Sequence, residues 1–168
     1  MTTKVELAEL RRLEAATAYD LGDAALRAEL DALAAFTAAA LEAPIALVTL
    51  VLDSSVVIAG SYGVKPDCAF AGPAGYPVDW SFCAFTVKAR GAYVVSDTAA
   101  SPVHAGNWLV EASSLASYAG APVIDEAGEV LGAHCVHTHQ PRVYRPEDID
   151  LLRAGAARAR RVLARHRR

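Results

Sequence analysis

Trp80-Ser81-Phe82-Cys83-Ala84-Phe85-Thr86, Val95-Ser96-Asp97-Thr98-Ala99, Ser117-Tyr118-Ala119-Gly120-Ala121-Pro122-Val123 and Gly132-Ala133-His134-Cys135-Val136 are four pieces of one stretch. Their order decides how the rest of the chain reads. Asp79 or Ser81 can cap a short helix over residues 80–88, and residues 92–95 make a brief strand. Residues 97–108 are irregular or turn into a short helix, with Asp97 capping the turn at Thr98 and Asn107 a polar contact. Strand returns over 117–123, and Asp125-Glu126-Ala127-Gly128 turns into a last strand over 130–138. Alternation on that strand sends Ala133, Cys135, His137 and His139 to one face and His134, Val136 and Thr138 to the other.

Upstream, Ile45-Ala46-Leu47-Val48-Thr49-Leu50-Val51-Leu52 is an almost continuous apolar run rich in strand formers, closed by Asp53-Ser54-Ser55. A strand without polar alternation is predicted to be covered on both faces. Residues 56–62 follow across a short polar turn and read as its hairpin partner. Residues 63–77 carry three prolines and three glycines, the mark of a long loop, and loops of this length in a compact domain are often lids. Before the strand, Leu26, Leu30, Leu33, Thr37 and Leu41 recur at steps of three and four, with Asp23 placed to cap the helix and Pro44 to end it. Thr3-Lys4-Val5-Glu6 has the form of a capping box for a first helix running to Tyr19. At the other end, Pro146, Glu147 and Asp148 open a helix whose apolar stripe is Ile149, Leu152, Ala156, Ala159 and Leu163. The predicted class is α+β: a central, mainly antiparallel sheet with the terminal helices on one face and a loop-covered ligand cavity on the other.

At 168 residues the chain suits one domain, divided into an N-terminal helix (1–20), a core (24–162) and a basic tail (163–168). No apolar run approaches the roughly 20 residues that span a bilayer, and the N-terminus lacks the form of a secretory signal. A soluble, cytoplasmic protein is expected, with no membrane partner. Three cysteines without a C-x-x-C pair suggest reduced thiols rather than a disulfide framework or zinc ribbon. The net charge of -3 argues against a nucleic-acid partner. Six of the last eleven residues are Arg, read as a solvated helix end that favours the negative C-terminal dipole.

Taken as a set, helix, hairpin, long loop, Ser-Phe-Cys-Ala, short strand, Asp-Thr-Ala, Tyr-Ala-Gly-Ala-Pro, turn, Gly-x-x-Cys-Val and Pro-Glu-Asp helix resemble the GAF family of small-molecule sensor domains over residues 24–162. The resemblance implies a sheet with helices behind it and a ligand cavity in front. It further implies a sensory role in bacterial-type signalling. No kinase, cyclase or DNA-binding region accompanies these motifs, so output is expected to pass to a partner protein or through a homodimer interface. Two positions depart from the family pattern. Arg145 stands where Ser or Thr usually precedes the Pro-Glu helix start. His137 stands where signalling members often carry Asp, exchanging an acceptor-only carboxylate for an imidazole that can donate, accept or bind metal.

By resemblance, Cys135 and His137 face the cavity with Tyr118, Gly120 and Pro122, and Cys83 looks into the same space. Trp80, Phe82, Phe85 and Trp108 are the large rings that could line or close it. The expected ligand set is Trp80, Phe82, Cys83, Trp108, Tyr118, Cys135 and His137, for a small, partly aromatic or heterocyclic molecule whose binding closes the 63–77 loop; the sequence names no cofactor. The alternative is a thiol-based redox enzyme or switch using Cys83 with Cys68 or Cys135. The free methionine-R-sulfoxide reductases of this family place cysteines at positions similar to Cys68 and Cys83. They also need an attacking cysteine on the segment 104–117, which here has none. A third possibility is a purely structural partner-binding domain whose cavity is filled by its own side chains.

No metal is expected; Cys135, His137 and Cys83, with His139 on the same face, are the only plausible ligands. Strand residues two apart lie about 6.5 Å from each other, so those side chains would have to converge. No second haem-associated pattern accompanies His137 or His104, and the segment leading into Tyr118 holds no cysteine for covalent bilin attachment. Gly-rich phosphate loops and hydrolase signatures are absent from the sequence.

Overall fold

The computed structural model describes residues 4–68 and 75–168, so the capping box at Thr3 and the middle of the 63–77 loop lie outside the described residues. Its centre is the apolar run: β1 (Ile45–Val51) sits between β2 (Ser55–Tyr62) and β6 (Val130–Thr138), and all seven of its residues are buried. Pleating divides them. Ala46, Val48 and Leu50 enter one core, whereas Ile45, Leu47 and Val51 enter another on the opposite face. With β3 (Tyr76–Pro77), β4 (Tyr93–Val95) and β5 (Ser117–Ile124), the strands form one antiparallel sheet in the order β3-β2-β1-β6-β5-β4.

One face of this sheet, the helix face, is covered by α2 (Ala24–Leu41) and α5 (Pro146–Arg165). Asp23 starts α2 by accepting from the backbone N–H groups of Ala25 and Leu26, at 2.8 and 3.4 Å. The predicted stripe Leu26, Leu30, Leu33, Thr37 and Leu41 is buried in full, and each leucine placed there contributes about 1.5–3 kcal/mol. At the start of α5, the Arg145 guanidinium has no acceptor to offer. The missing cap is half replaced, because Asp148 Oδ2 reaches back to accept from the Arg145 N–H at 2.9 Å. A first helix, α1 (Lys4–Ala16), stops short of Tyr19; there the chain is held instead by a bridge between Tyr19 and Arg167.

Three local expectations change. The 63–77 loop contains β3, whose two residues pair with Ser55 and Val56 at the sheet edge, where a proline removes no ladder donor that is needed. Past the irregular stretch, α4 (Trp108–Ser113) forms with Asn107 as its cap. The segment read as a basic tail is part of the fold: Leu163 is fully buried, His166 Nδ1 lies 2.8 Å from Asp23 Oδ2, and the Arg168 N–H donates to the Ala18 carbonyl. The two chain ends are thereby tied together.

Candidate functional site

On the opposite face lies α3 (Phe82–Ala89), which opens with Ser81 accepting from the Ala84 N–H at 3.1 Å. Cys83 and Thr86 are three apart and share its inner face. Beneath them are Cys135 and His137 of β6 and Tyr118 of β5, cross-strand neighbours in which Tyr118 pairs with His137 and Gly120 with Cys135. Phe82, Cys83, Tyr118, Cys135 and His137 are all at most 1% exposed, so the sequence-predicted residues at the centre of this face are brought together. The centre is packed with side chains. Gly120 is what admits the phenol: a Cβ there would stand 2.2 Å from the Tyr118 hydroxyl.

Cys83 Sγ lies 3.7 Å from Cys135 Sγ, an unbonded thiol contact. The Tyr118 hydroxyl donates to Cys83 at 3.6 Å and meets Thr86 Oγ1 at 2.7 Å. The Cys135 thiol, followed by hydroxyls of Thr49, Tyr118 and Tyr76, hydrogen-bonds to Cys83 and holds its pKa down to about 7 against the opposing effect of burial. Burial, then the neighbouring Cys83, pushes Cys135 well up. The two sulfurs are therefore inequivalent.

Rings enclose this pair. Phe82 stacks on His104 at 4.4 Å and on Tyr118 at 5.3 Å, and His137 meets its edge at 5.5 Å. His104 Nε2 is bonded to the Tyr93 hydroxyl at 2.7 Å. Burial lowers the His137 pKa to about 3, so the ring is neutral at neutral pH. At one end of the face, Ile45, which pairs with His137 across β1 and β6, borders an open cleft of about 360 Å³ lined also by Lys65, Asp67, Cys68, Ser113 and His139. Cys68 is half-buried there, with Sγ 3.7 Å from Ser113 Oγ.

Trp80 is half-buried and packs against the edge of this cluster, and Trp108 lies beyond it. They pack on each other at 4.4 Å, with Trp108 half exposed, and Asn107 anchors them by donating to the Trp80 carbonyl. Asp97 bonds the Ala99 N–H as a turn residue. His139 is exposed and held at the Ser114 carbonyl, and among the described residues no group of three His, Cys, Asp or Glu side chains is placed to hold a metal ion.

The GAF domain family matches residues 25–163, most of the chain. This chain belongs to the GAF domain family. No curated protein matches it. Among solved structures, the type II free methionine-R-sulfoxide reductase from Thermoplasma acidophilum superposes with a TM-score of 0.69 at 15% identity, covering 88% of this chain and 98% of that one. The GAF domain of an Acinetobacter phosphoenolpyruvate-protein phosphotransferase gives 0.65 at 16% identity, covering 98% and 96%. A far-red cyanobacteriochrome photoreceptor gives 0.66 at 13% identity, covering 84% and 88%. Identities this low establish the fold and leave the ligand open. GAF domains are a small-molecule-binding sensory fold of signalling proteins, and the reductase shows that the same fold can carry an enzyme.

In this GAF domain, Thr86, Thr49, Tyr76 and His104 also belong to the cluster; sequence reading passed over the first three and considered His104 only as a haem ligand. Thr86 could have been found from its three-residue spacing to Cys83 on a predicted helix. His104, in an irregular segment, left no such signal.

Proposed function

We propose that this chain is a non-enzymatic sensory GAF domain that takes one small, partly aromatic or heterocyclic molecule on its loop face and reports occupancy through α2 and α5. The observation that carries the reading is the convergence of Phe82, Cys83, Tyr118, Cys135 and His137 on the face turned away from those helices, ending at the cleft beside Ile45. Because the cluster itself is filled, the ligand would sit in that cleft over Ile45 and Cys68, with Lys65, Asp67 and His139 setting its polar contacts. β1 and β6 are shared by both faces, which gives occupancy a path to the helices.

The reading includes a cytoplasmic setting, a signalling partner and a homodimer. Phe36 is 59% exposed on α2 beside a groove with Leu33, Leu151 and Arg158, an apolar strip suited to a second copy. No helix among the described residues is long and apolar enough to cross a membrane, and the net charge of -3 makes nucleic acid a poor partner. A thermal-shift screen of nucleotides, aromatic metabolites, amino acids and metals tests the ligand. A ligand at a hundred times its Kd is expected to raise Tm by about 5–10 °C, and a flat response across every class overturns the proposal.

The 3.7 Å approach of Cys83 and Cys135 favours thiol chemistry as a second reading. Free methionine sulfoxide is disfavoured as its substrate, since residues 104–117 contain no cysteine to attack it. Turnover of free methionine-R-sulfoxide with a thiol reductant would restore that substrate.

A further inference from the structure

We propose that Cys83 and Cys135 form a redox site, oxidised by a small hydroperoxide to an internal disulfide that joins α3 to the central strand β6. Three observations converge on this pair. The sulfurs are already 3.7 Å apart, against a bond length of about 2.05 Å, so closure asks for a modest side-chain rotation rather than a rearranged chain. Cys83 is the second residue of an eight-residue helix, where the free N–H groups favour a thiolate. The Tyr118 hydroxyl, itself bonded to Thr86, donates to Cys83, so a developing sulfur anion meets donors already in place. The lowered Cys83 and raised Cys135 thiols agree with a division of labour, the first as attacking thiolate and the second as resolving thiol.

The step balances as follows. The Cys83 thiolate attacks the nearer peroxide oxygen, the O–O bond breaks, and the departing alkoxide or hydroxide takes a proton to leave as alcohol or water. Cys83 is then a sulfenic acid. Cys135 loses its proton and attacks the Cys83 sulfur; the S–O bond breaks, and hydroxide takes that proton to leave as water. Two thiols and one hydroperoxide thus give one disulfide, one alcohol or water, and one further water, with two electrons passing from sulfur to oxygen. Burial of both sulfurs selects for small neutral oxidants and against bulky thiol reagents. Cys68, on the cleft beside Ser113, is outside this pair.

The test is peroxide titration of the reduced, native chain, followed by non-reducing chymotryptic mapping, which cuts between Cys68 and Cys83 after Phe70 and Trp80. The expected product is a Cys83–Cys135 cross-linked peptide lacking two hydrogens, formed equally in Cys68→Ser and reversed by dithiothreitol. Cys135→Ser is expected to stop at a Cys83 sulfenic acid that dimedone traps. In Tyr118→Phe the rate of disulfide formation is expected to fall several-fold while far-UV circular dichroism is unchanged. A disulfide containing Cys68, or Cys83 and Cys135 still reduced at peroxide concentrations that oxidise Cys68, overturns the proposal. That result would leave ligand binding by thermal shift untouched, so the two proposals fail separately.

Discussion

On the helix face the sheet meets Leu26, Leu30, Leu33, Leu152 and Leu163 with small alanines between them, whereas on the loop face it meets Phe82, Cys83, Tyr118, Cys135 and His137. Each face buries one imidazole from β6, and the two are treated differently. His134 is bonded on both sides, Nδ1 to the Leu47 carbonyl at 3.0 Å and Nε2 to Thr37 Oγ1 at 2.8 Å, and Gly155 of α5 lies flat against its ring. His137 lies among aromatic rings, at 5.5 Å from Phe82 and 5.0 Å from Tyr118. The helix face is built to be stable. Chemistry that stability alone would not require, paired sulfurs and a hydroxyl relay, is collected on the other side.

Acid should break the comparison most severely, because it acts on both faces at once. Burial lowers His134 to about 4 and His137 to about 3, from an ordinary 6.5. The unfolded chain therefore binds these protons first, so the stability they confer is complete above pH 6.5 and is lost as pH falls through the window to about 3–4. Urea midpoints measured down this window should fall steadily, and a flat profile would mean that the rings charge without unfolding the protein. Next in size is Leu30→Ala on the helix face, expected to remove about 2–5 kcal/mol in urea denaturation while leaving peroxide-driven pairing of the thiols intact.

Gly155→Ala sharpens the contrast further. The new methyl would stand 2.5 Å from the His134 ring, and a ring fixed by two hydrogen bonds has little room to yield, so a loss of about 1–3 kcal/mol is expected. An unchanged urea midpoint would show that α5 can shift outward freely. Tyr118→Phe should cost less, about 0.5–1.5 kcal/mol, yet it should alter Cys83 reactivity where Gly155→Ala does not. Comparing both variants by denaturation and by thiol oxidation separates a stabilising face from a reactive one. The smallest effect belongs to neither face: Arg153→Ala removes an exposed pair with Asp150, and the urea midpoint should move by less than about 0.5 kcal/mol equivalent.

Much of this could be read from the chain before any coordinates. The unbroken apolar run at Ile45 required a strand covered twice, and β1 is central. The three-and-four spacing from Leu26 required a helix lying on it, and alternation placed Cys135 and His137 together, away from His134. What escaped were features without local period. β3 is two residues long and exists because Ser55 and Val56 offer it an edge. The side chains of the Arg-rich end are largely solvated, as their composition indicated, but His166 and the backbone of Arg168 find partners far away in sequence, at Asp23 and Ala18.

The long strands and helices and the two-sided alternation of β6 were determined by the sequence alone, since side-chain period follows directly from backbone geometry, whereas the grouping of Cys83, Tyr118, Cys135 and His137 on one face was implied by the family resemblance. Only the tertiary structure decided that the cluster's centre is filled, that Trp80 packs at its edge with Trp108 beyond, and that Cys83 meets Cys135 at 3.7 Å with Cys68 at the cleft. Those are distances between segments tens of residues apart, and they depend on how α3 packs across the sheet.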